Sequence, residues 1–191
     1  MYTSLSMLMA RKAKENKGKS KVIKAILTGE TISSNSSEAM NLYGSQRFGE
    51  ISESRIVYSL PEALYLAEKK KLSASLKGKK LSFQKLMEQA LEIDSKISVK
   101  YPVFKDLRNK GYIVKTALKF GAEFRVYDKG AKIGEDHAKW ILYPVRESDS
   151  LTWHDFSAKN RVAHSTKKNL LIGILDEENE ITYYEISWIR T

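Results

Sequence analysis

A tyrosine, a histidine and a lysine in the last third of this 191-residue chain, Tyr127, His137 and Lys168, fall where folding alone assigns their polar ends no task. Tyr127 closes Gly121-Ala-Glu-Phe-Arg-Val-Tyr127, a run that alternates like a half-buried strand and stops at Asp128-Lys129-Gly130. His137 lies between a glycine-containing turn and the apolar strand Trp140-Ile-Leu-Tyr-Pro-Val145, and Lys168 comes just before the strand Leu170-Leu-Ile-Gly-Ile-Leu175. A phenol, an imidazole and an ammonium suit cleavage of an RNA phosphodiester by its own 2′-hydroxyl. That reaction needs an acceptor for the hydroxyl proton, a donor for the departing 5′-oxygen and a cation for the doubly negative phosphorane, and it needs no metal. A free phenol, with a pKa of about 10, is a weak base at neutral pH, so the acceptor is the open assignment. A nearby ammonium favours the phenolate, and an imidazole can give or take a proton in that range. Each residue also has a plain structural reading: Tyr127 as edge packing, His137 as loop surface, Lys168 as a charge at a strand start.

Composition narrows the class. The net charge is +10, and both halves share it: residues 1–95 carry 16 basic and 10 acidic side chains, the remainder 17 and 13. A polyanion lying across several elements would find positive charge throughout, although a solvated basic surface reads the same way. Zero Cys removes disulfides, thiolate metal sites and cysteine nucleophiles, and suits a reducing interior. Three His make a histidine-rich metal centre an unexpected feature. Met1 to Ala10 is mildly apolar without the pattern of a signal peptide, and no apolar run is long enough to span a membrane, so a cytoplasmic protein is expected.

The elements that must position the trio are legible in outline. Arg11, Lys12, Lys14, Lys17, Lys19, Lys21 and Lys24 form a basic run, solvated or RNA-facing, that flows into a strand at Val22–Leu27. A short helix through Glu38 and Leu42 should stop at Gly44. Ser59, Pro61 and Glu62 sign a capped helix start, Lys69, Lys70 and Lys71 suit its end, and a further helix spans Ser82 to Ile93. An amphipathic segment from Ile97 to Lys110 carries Pro102, which fits best near a helix start. Strands at 112–115, 122–127 and 140–145 follow, then a helix capped by Thr152, then strands at 169–175 and 181–188. The predicted fold is α/β (α+β): an N-terminal α/β scaffold domain, residues 1–95, and a C-terminal nuclease-like domain, residues 96–191, with a mixed sheet flanked by helices.

Lys115, Lys119, Arg125 and Lys139 lie on or beside strands, where long cationic stems can reach a phosphate, and Arg161 precedes Lys168 by seven residues. Trp153, Tyr143, Tyr183, Tyr184 and Trp188 permit base stacking, with core packing as the plain alternative. His154 and His164 fit surface or packing roles. A metal-dependent DNA nuclease would need paired acidic ligands, for which Glu123 and Asp136 are the nearest candidates.

The stretch Tyr101 to Lys168 resembles the archaeal tRNA-splicing endonucleases, through Arg108-Asn-Lys-Gly-Tyr-Ile-Val-Lys-Thr116, Lys119-Phe-Gly-Ala-Glu-Phe-Arg-Val-Tyr127, His137 and Arg161-Val-Ala-His-Ser-Thr-Lys-Lys168. The likeness extends to Tyr43-Gly-Ser-Gln-Arg-Phe-Gly49, Ser59-Leu-Pro-Glu-Ala-Leu-Tyr65 and Gly78-Lys-Lys-Leu-Ser-Phe83, and so covers nearly the whole chain. The family's tyrosine, histidine and lysine are spaced about ten and about thirty residues apart; here the separations are 10 and 31. The resemblance implies Tyr127 as base, His137 as acid and Lys168 as stabiliser, with no cofactor and no metal. Lys167 is an adjacent rival that the family's order of residues disfavours. The implied substrate is precursor tRNA cut at two three-nucleotide bulges flanking a short helix, leaving 2′,3′-cyclic phosphate and 5′-hydroxyl ends. Arg161 matches an arginine that grips a flipped nucleotide. Arg125, Lys139 and Trp188 complete the expected RNA-binding set, and the second half of the nucleotide clamp stays unassigned, with Trp188 and Arg190 nearby.

Two bulges call for two active sites at fixed separation, hence an oligomer with internal symmetry, and the resemblance implies a tetramer. The acidic loop Asp176-Glu177-Glu178-Asn179-Glu180 reads as a hairpin turn; the resemblance implies that Asp176, Glu177 and Glu178 insert into a basic cleft of a neighbouring subunit. One catalytic trio in a single repeat's length disfavours the family's doubled form. An α2β2 assembly with a structural subunit is favoured over a homotetramer by the glycine-poor, basic N-terminal half. The alternative function is a non-catalytic RNA-binding subunit of an RNA-processing complex.

Overall fold

The computed structural model describes residues 22–117, 121–132 and 134–189. Met1 to Lys21, including the basic run from Arg11, lies outside the described residues, as do Lys119 and Arg190.

The N-terminal sheet contains β1 (Ile23–Thr28), β2 (Thr31–Ser34), β3 (Glu50–Ser52), β4 (Arg55–Tyr58), β5 (Leu72–Leu76) and β6 (Lys79–Lys80), in the order β3-β4-β2-β1-β5-β6. Only β1 and β5 run parallel, with Ile23 opposite Leu72; the other pairs are antiparallel. Alternation in β1 buries Ile23, Ala25 and Leu27 and exposes Lys24, Ile26 and Thr28. The buried face packs with α1 (Ser37–Gln46), α2 (Leu60–Glu68) and α3 (Phe83–Ile93).

Gly44 does not stop the first helix. Ser36 caps α1 through the Ala39 N–H, and the helix runs through Gly44 to Arg47, which takes the left-handed conformation (φ 59°) and donates its N–H to the Tyr43 carbonyl. A lone helical glycine costs only about 1 kcal/mol. The Arg47 guanidinium, 5.8 Å from the Tyr43 ring centroid, also ties this end down. The predicted box at the start of α2 is present: Glu62 Oε2 accepts from the Ser59 N–H at 3.0 Å and the Ser59 hydroxyl at 2.9 Å.

The C-terminal sheet contains β7 (Ile113–Thr116), β8 (Phe124–Tyr127), β9 (Trp140–Arg146), β10 (Asn169–Leu175) and β11 (Ile181–Ile186), in the order β11-β10-β9-β8-β7. Parallel β9 and β10 are joined by α5 (Trp153–Ser165); the other neighbours are antiparallel. Period-2 alternation splits the strands between two faces. Val126, Trp140, Leu142 and Leu171 meet α4 (Ile97–Asn109) through Val103, Phe104 and Leu107, while Ile141, Tyr143 and Leu170 meet Ala163 and Phe156 of α5. At Gly173 a Cβ would lie 3.0 Å from Val103 Cγ1, so glycine lets α4 approach the sheet closely.

Pro102 sits a turn and a half into α4, not at its start. An interior proline costs about 3 kcal/mol. Burial of Ile97, Val99, Tyr101, Val103, Phe104 and Leu107 on the same helix offsets that cost.

The two halves share one core. A single apolar cluster runs from Ile23 and Leu64 through Phe104 to Val126 and Leu142. The Tyr65 ring meets Phe104 edge-on, and Glu68 accepts from the Tyr101 hydroxyl at 2.9 Å and the Lys105 ammonium at 2.7 Å. Lys115, expected to reach for phosphate, is instead buried at 4% exposure, where its ammonium donates to the Gly49 carbonyl at 2.5 Å and to Glu62 Oε1 at 3.0 Å. Glu62, at 3% exposure, also accepts from the Gly49 N–H, so its buried carboxylate has four donors. Among the described residues no helix is long and apolar enough to cross a membrane.

Candidate active site

Strand register gathers the sequence-predicted residues at one end of the C-terminal sheet. Trp140 pairs with Val126 on one side and Asn169 on the other. The pairing carries one residue outward, because the Lys139 N–H donates to the Val126 carbonyl and the Asn169 N–H donates to the Lys139 carbonyl. Tyr127 ends β8, Lys139 immediately precedes β9, and Lys168 immediately precedes β10. Neighbouring strands are about 4.8 Å apart, so the backbones of Tyr127 and Lys168 stand about 10 Å apart, with Lys139 between them. His137, two residues before Lys139, is exposed on the approach to β9.

Side-chain surroundings bring Arg125 to two members of the trio. The Tyr127 ring is buried, and the guanidinium carbon of Arg125, one pleat back on the same strand, lies 5.9 Å from its centroid. Lys168 is half-buried, and its ammonium donates to the Thr166 carbonyl at 2.7 Å. Burial, and then the charge of Arg125, hold the Lys168 pKa below that of an ordinary lysine. Arg125 thus lies against the Tyr127 ring, and its charge reaches Lys168.

Lys168 is delivered by the end of α5. Thr152 caps that helix by accepting from the Asp155 N–H at 3.1 Å. At its far end Lys167 takes the left-handed conformation (φ 55°), its N–H donating to the His164 carbonyl while the Lys168 N–H reaches back to the Ala163 carbonyl. That pair of bonds is a Schellman closure, and it gives the two adjacent lysines different tasks. Lys167 makes the turn, and Lys168 enters the sheet.

A cleft of about 320 Å³ between α5 and the segment after β11 is lined by Phe156, Arg161, His164 and Trp188. A smaller one, about 160 Å³, shares His164 and Trp188 and adds Lys167 and Lys168, so the concave surface is continuous from Arg161 to Lys168. Trp188 is 71% exposed and meets the His164 ring edge-on at 4.0 Å. Lys139 is exposed above Trp140, its ammonium 4.5 Å from the ring. Tyr143 and Tyr183 are packing residues, donating to the Gly121 carbonyl and to Asp106 respectively, whereas Trp153 and Tyr184 face solvent.

The acidic loop closes on itself. Asp176 Oδ1 accepts from the Glu180 N–H at 2.7 Å and Asn179 is left-handed (φ 64°), leaving Glu177 and Glu178 exposed at the tip. The carboxylates weighed as metal ligands have other work: Glu123 is 2.6 Å from Lys100, and Asp136 accepts from the Lys132 N–H at 2.7 Å. Among the described residues no three His, Asp or Glu side chains cluster as a metal site would require. Sequence reasoning missed Glu50, whose carboxylate lies 3.4 Å from Arg125 and which carries no local motif to mark it.

Fold and site together describe an α/β protein with a phenol, an ammonium and a guanidinium at one end of a mixed sheet, beside an exposed imidazole and a basic, aromatic cleft. Comparison with known proteins gives the class a family. Residues 23–87 match the tRNA intron endonuclease N-terminal domain, and residues 97–183 match the tRNA intron endonuclease catalytic C-terminal domain. The chain is 40% identical over 171 residues to a tRNA-splicing endonuclease of Pyrococcus abyssi, covering 89% of this chain and 98% of that one. It is 41% identical over 165 residues to that of Thermococcus onnurineus (86% and 95% covered), and 41% identical over 152 residues to that of Methanothermobacter thermautotrophicus (80% and 88% covered). The chain belongs to the tRNA intron endonuclease family.

Proposed function

We propose that this protein is a catalytic subunit that excises introns from precursor tRNA at bulge–helix–bulge sites. Tyr127 takes the proton of the 2′-hydroxyl as its oxygen attacks phosphorus. His137 protonates the 5′-oxygen as the phosphorus–oxygen bond breaks, and the Lys168 ammonium offsets the phosphorane's charge. The products are a 2′,3′-cyclic phosphate and a 5′-hydroxyl. The observation that carries this reading is the strand register at one sheet end, with Tyr127 and Lys168 about Arg125 and an exposed His137 on the adjoining approach. The names of the relatives support the substrate.

Arg161, Lys139 and Trp188 form the RNA-facing set. Arg161 and Trp188 line one cleft with room for a single base, which suits an unstacked bulge nucleotide. The sequence places Arg125 with them. The chain divides at residue 95 into a scaffold unit and a catalytic unit, a reading supported by the two separate sheets. The assembly is a tetramer, α2β2 with a structural subunit in preference to four identical chains, with Asp176, Glu177 and Glu178 at a subunit contact. The exposed carboxylates at the loop tip support that contact, since opposite charge steers pairing. The protein works in the cytoplasm.

The test is cleavage of a bulge-containing precursor tRNA in excess chelator, with terminal analysis, by the protein alone and with a candidate structural subunit. Cyclic phosphate ends in chelator, lost on His137→Ala while RNA binding persists, are expected. Ends carrying a 3′-hydroxyl and a 5′-phosphate, or activity abolished by chelator, would overturn the mechanism. RNA binding without cleavage under every condition would favour the non-catalytic reading.

A further inference from the structure

We propose that Arg125 is a positioning residue, held by Glu50 of the N-terminal sheet against the Tyr127 ring, and that its charge is directed at the Tyr127–Lys168 pair instead of at RNA. The role rests on the cleavage reading above; the placement does not.

Arg125 and Lys115 are directly opposed on β8 and β7, an arrangement of like charges that destabilises a sheet unless each has an anchor. The N-terminal Gly49–Glu50 segment supplies both anchors. Lys115 is well anchored, by hydrogen bonds to the Gly49 carbonyl and Glu62. Arg125 is not: its contact to Glu50 is long, at 3.4 Å, and its Nε is buried with no hydrogen-bond partner. A guanidinium kept only to tie the halves together would be expected to use its buried donor. Charge at this point accounts better for its placement.

The groups facing Arg125 define where that charge acts. Tyr127 lies on its own strand, Lys115 comes from β7 and Glu50 from β3, while its partner on β9 is the uncharged Ile141; Lys168, two strands across at the start of β10, is reached by its charge. Lys115 and Glu50 are engaged as described. Among the described residues, the two groups left within its influence are the phenol and the ammonium of the candidate site. The N-terminal unit thereby forms part of the active-site wall, through Glu50.

The experiment compares Arg125→Gln, Arg125→Lys and Glu50→Gln with the unaltered protein. The Lys168 side chain is titrated by NMR on protein carrying carbon-13 at lysine Cε, the resonance being assigned with Lys168→Arg. Single-turnover cleavage is followed against pH, and RNA affinity is measured in a His137→Ala background. Arg125→Gln is expected to move the Lys168 midpoint and the basic limb of the rate profile to higher pH. It should lower the plateau rate about 10- to 100-fold, the scale of a small misplacement of reacting groups, with RNA affinity changed less than about threefold. Arg125→Lys should restore the midpoint and part of the rate. Glu50→Gln, an exposed and structurally mild change, should slow cleavage about three- to tenfold at unchanged affinity, and it keeps the test usable if Arg125→Gln does not fold. An unmoved Lys168 midpoint, or RNA affinity weakened at least tenfold with the saturated rate intact, would overturn the proposal and return Arg125 to phosphate binding. The NMR midpoint reads the placement even if cleavage itself is never seen, so failure of the reaction and failure of the positioning role are distinguishable.

Discussion

The fold biases the charge of Lys168. Burial and Arg125 both disfavour the ammonium, so its pKa lies below that of a free lysine. The ammonium is the form that stabilises a phosphorane. Activity should therefore fall as pH rises through the lowered value, placing the basic limb of a single-turnover rate profile below the range of an ordinary lysine. Lys168→Arg, charged throughout the accessible range, should remove that limb while lowering the plateau. Lys168→Ala should lower the rate about 10²- to 10³-fold at every pH, the scale of one lost electrostatic stabiliser. Stability follows the same linkage with the sign worked out: between the lowered folded value and the ordinary one, the unfolded chain holds the proton more tightly, so this residue's contribution to stability rises with pH across that window. A basic limb at ordinary lysine pH in the unaltered protein would show that Lys168 is not the group being titrated. The places of Tyr127, His137 and Lys168 beside strands were legible in the sequence because alternation marks β8 and apolar runs mark β9 and β10. Spacing did not show that Lys115 is occupied: a lysine on a short strand reads as a reaching cation until Glu62 and Gly49, more than fifty residues earlier, are found against it.

The elements that present these residues were readable where their signals are local. The capping box of α2, the Thr152 cap of α5, the alternation of β8 and the apolar runs of β9 and β10 involve residues within a few positions of one another. The small strands of the N-terminal sheet were not, since β2 to β6 are two to five residues long and β1 pairs with β5 across about fifty positions, where local propensity says little. Pro102 and Gly44 misled because tertiary burial overrides a local cost of about 1 to 3 kcal/mol. The turn after α5 gives the two adjacent lysines different places. Lys167 occupies a left-handed position that a side chain enters at a cost of about 1 kcal/mol, so Lys167→Gly should raise the thermal midpoint modestly and leave the saturated cleavage rate within about twofold. A β-branched residue there, as in Lys167→Val, should destabilise the turn and slow cleavage by displacing Lys168. If Lys167→Gly abolishes cleavage while the protein remains folded, the two lysines have been assigned the wrong way round.

At the scale of the molecule, the N-terminal and C-terminal halves are held in register by one buried polar junction inside a shared apolar core. Glu62 and Lys115 meet at 3.0 Å with 4% and 5% side-chain exposure, and the Gly49 carbonyl and N–H are drawn into the same cluster. Gly49 could not be otherwise: it has φ 75°, and a Cβ would lie 2.3 Å from Ile56 Cγ2 and 2.9 Å from the Val57 carbonyl oxygen. Gly49→Ala should therefore cost about 2 to 4 kcal/mol through strain and displaced packing, read as a lowered urea midpoint. The ion pair gives a sharper expectation, because a buried charge is costly mainly when its partner is removed. Lys115→Met leaves the Glu62 carboxylate buried with three donors and no countercharge, and should destabilise the fold by about 3 to 5 kcal/mol. Pairing it with Glu62→Gln removes the orphaned charge, so the double variant should be less destabilised than the sum of the two single changes, by an interaction energy of at least about 1 kcal/mol. Urea denaturation at fixed protein concentration measures all four corners of that cycle, and an unchanged slope between them would show that the denatured state has not shifted. Additive effects would mean that the two side chains are merely neighbours. Coupling would mean that the clasp around Gly49 joins the halves energetically, and that the N-terminal sheet holds Glu50 and Arg125 at a fixed distance from the reacting groups.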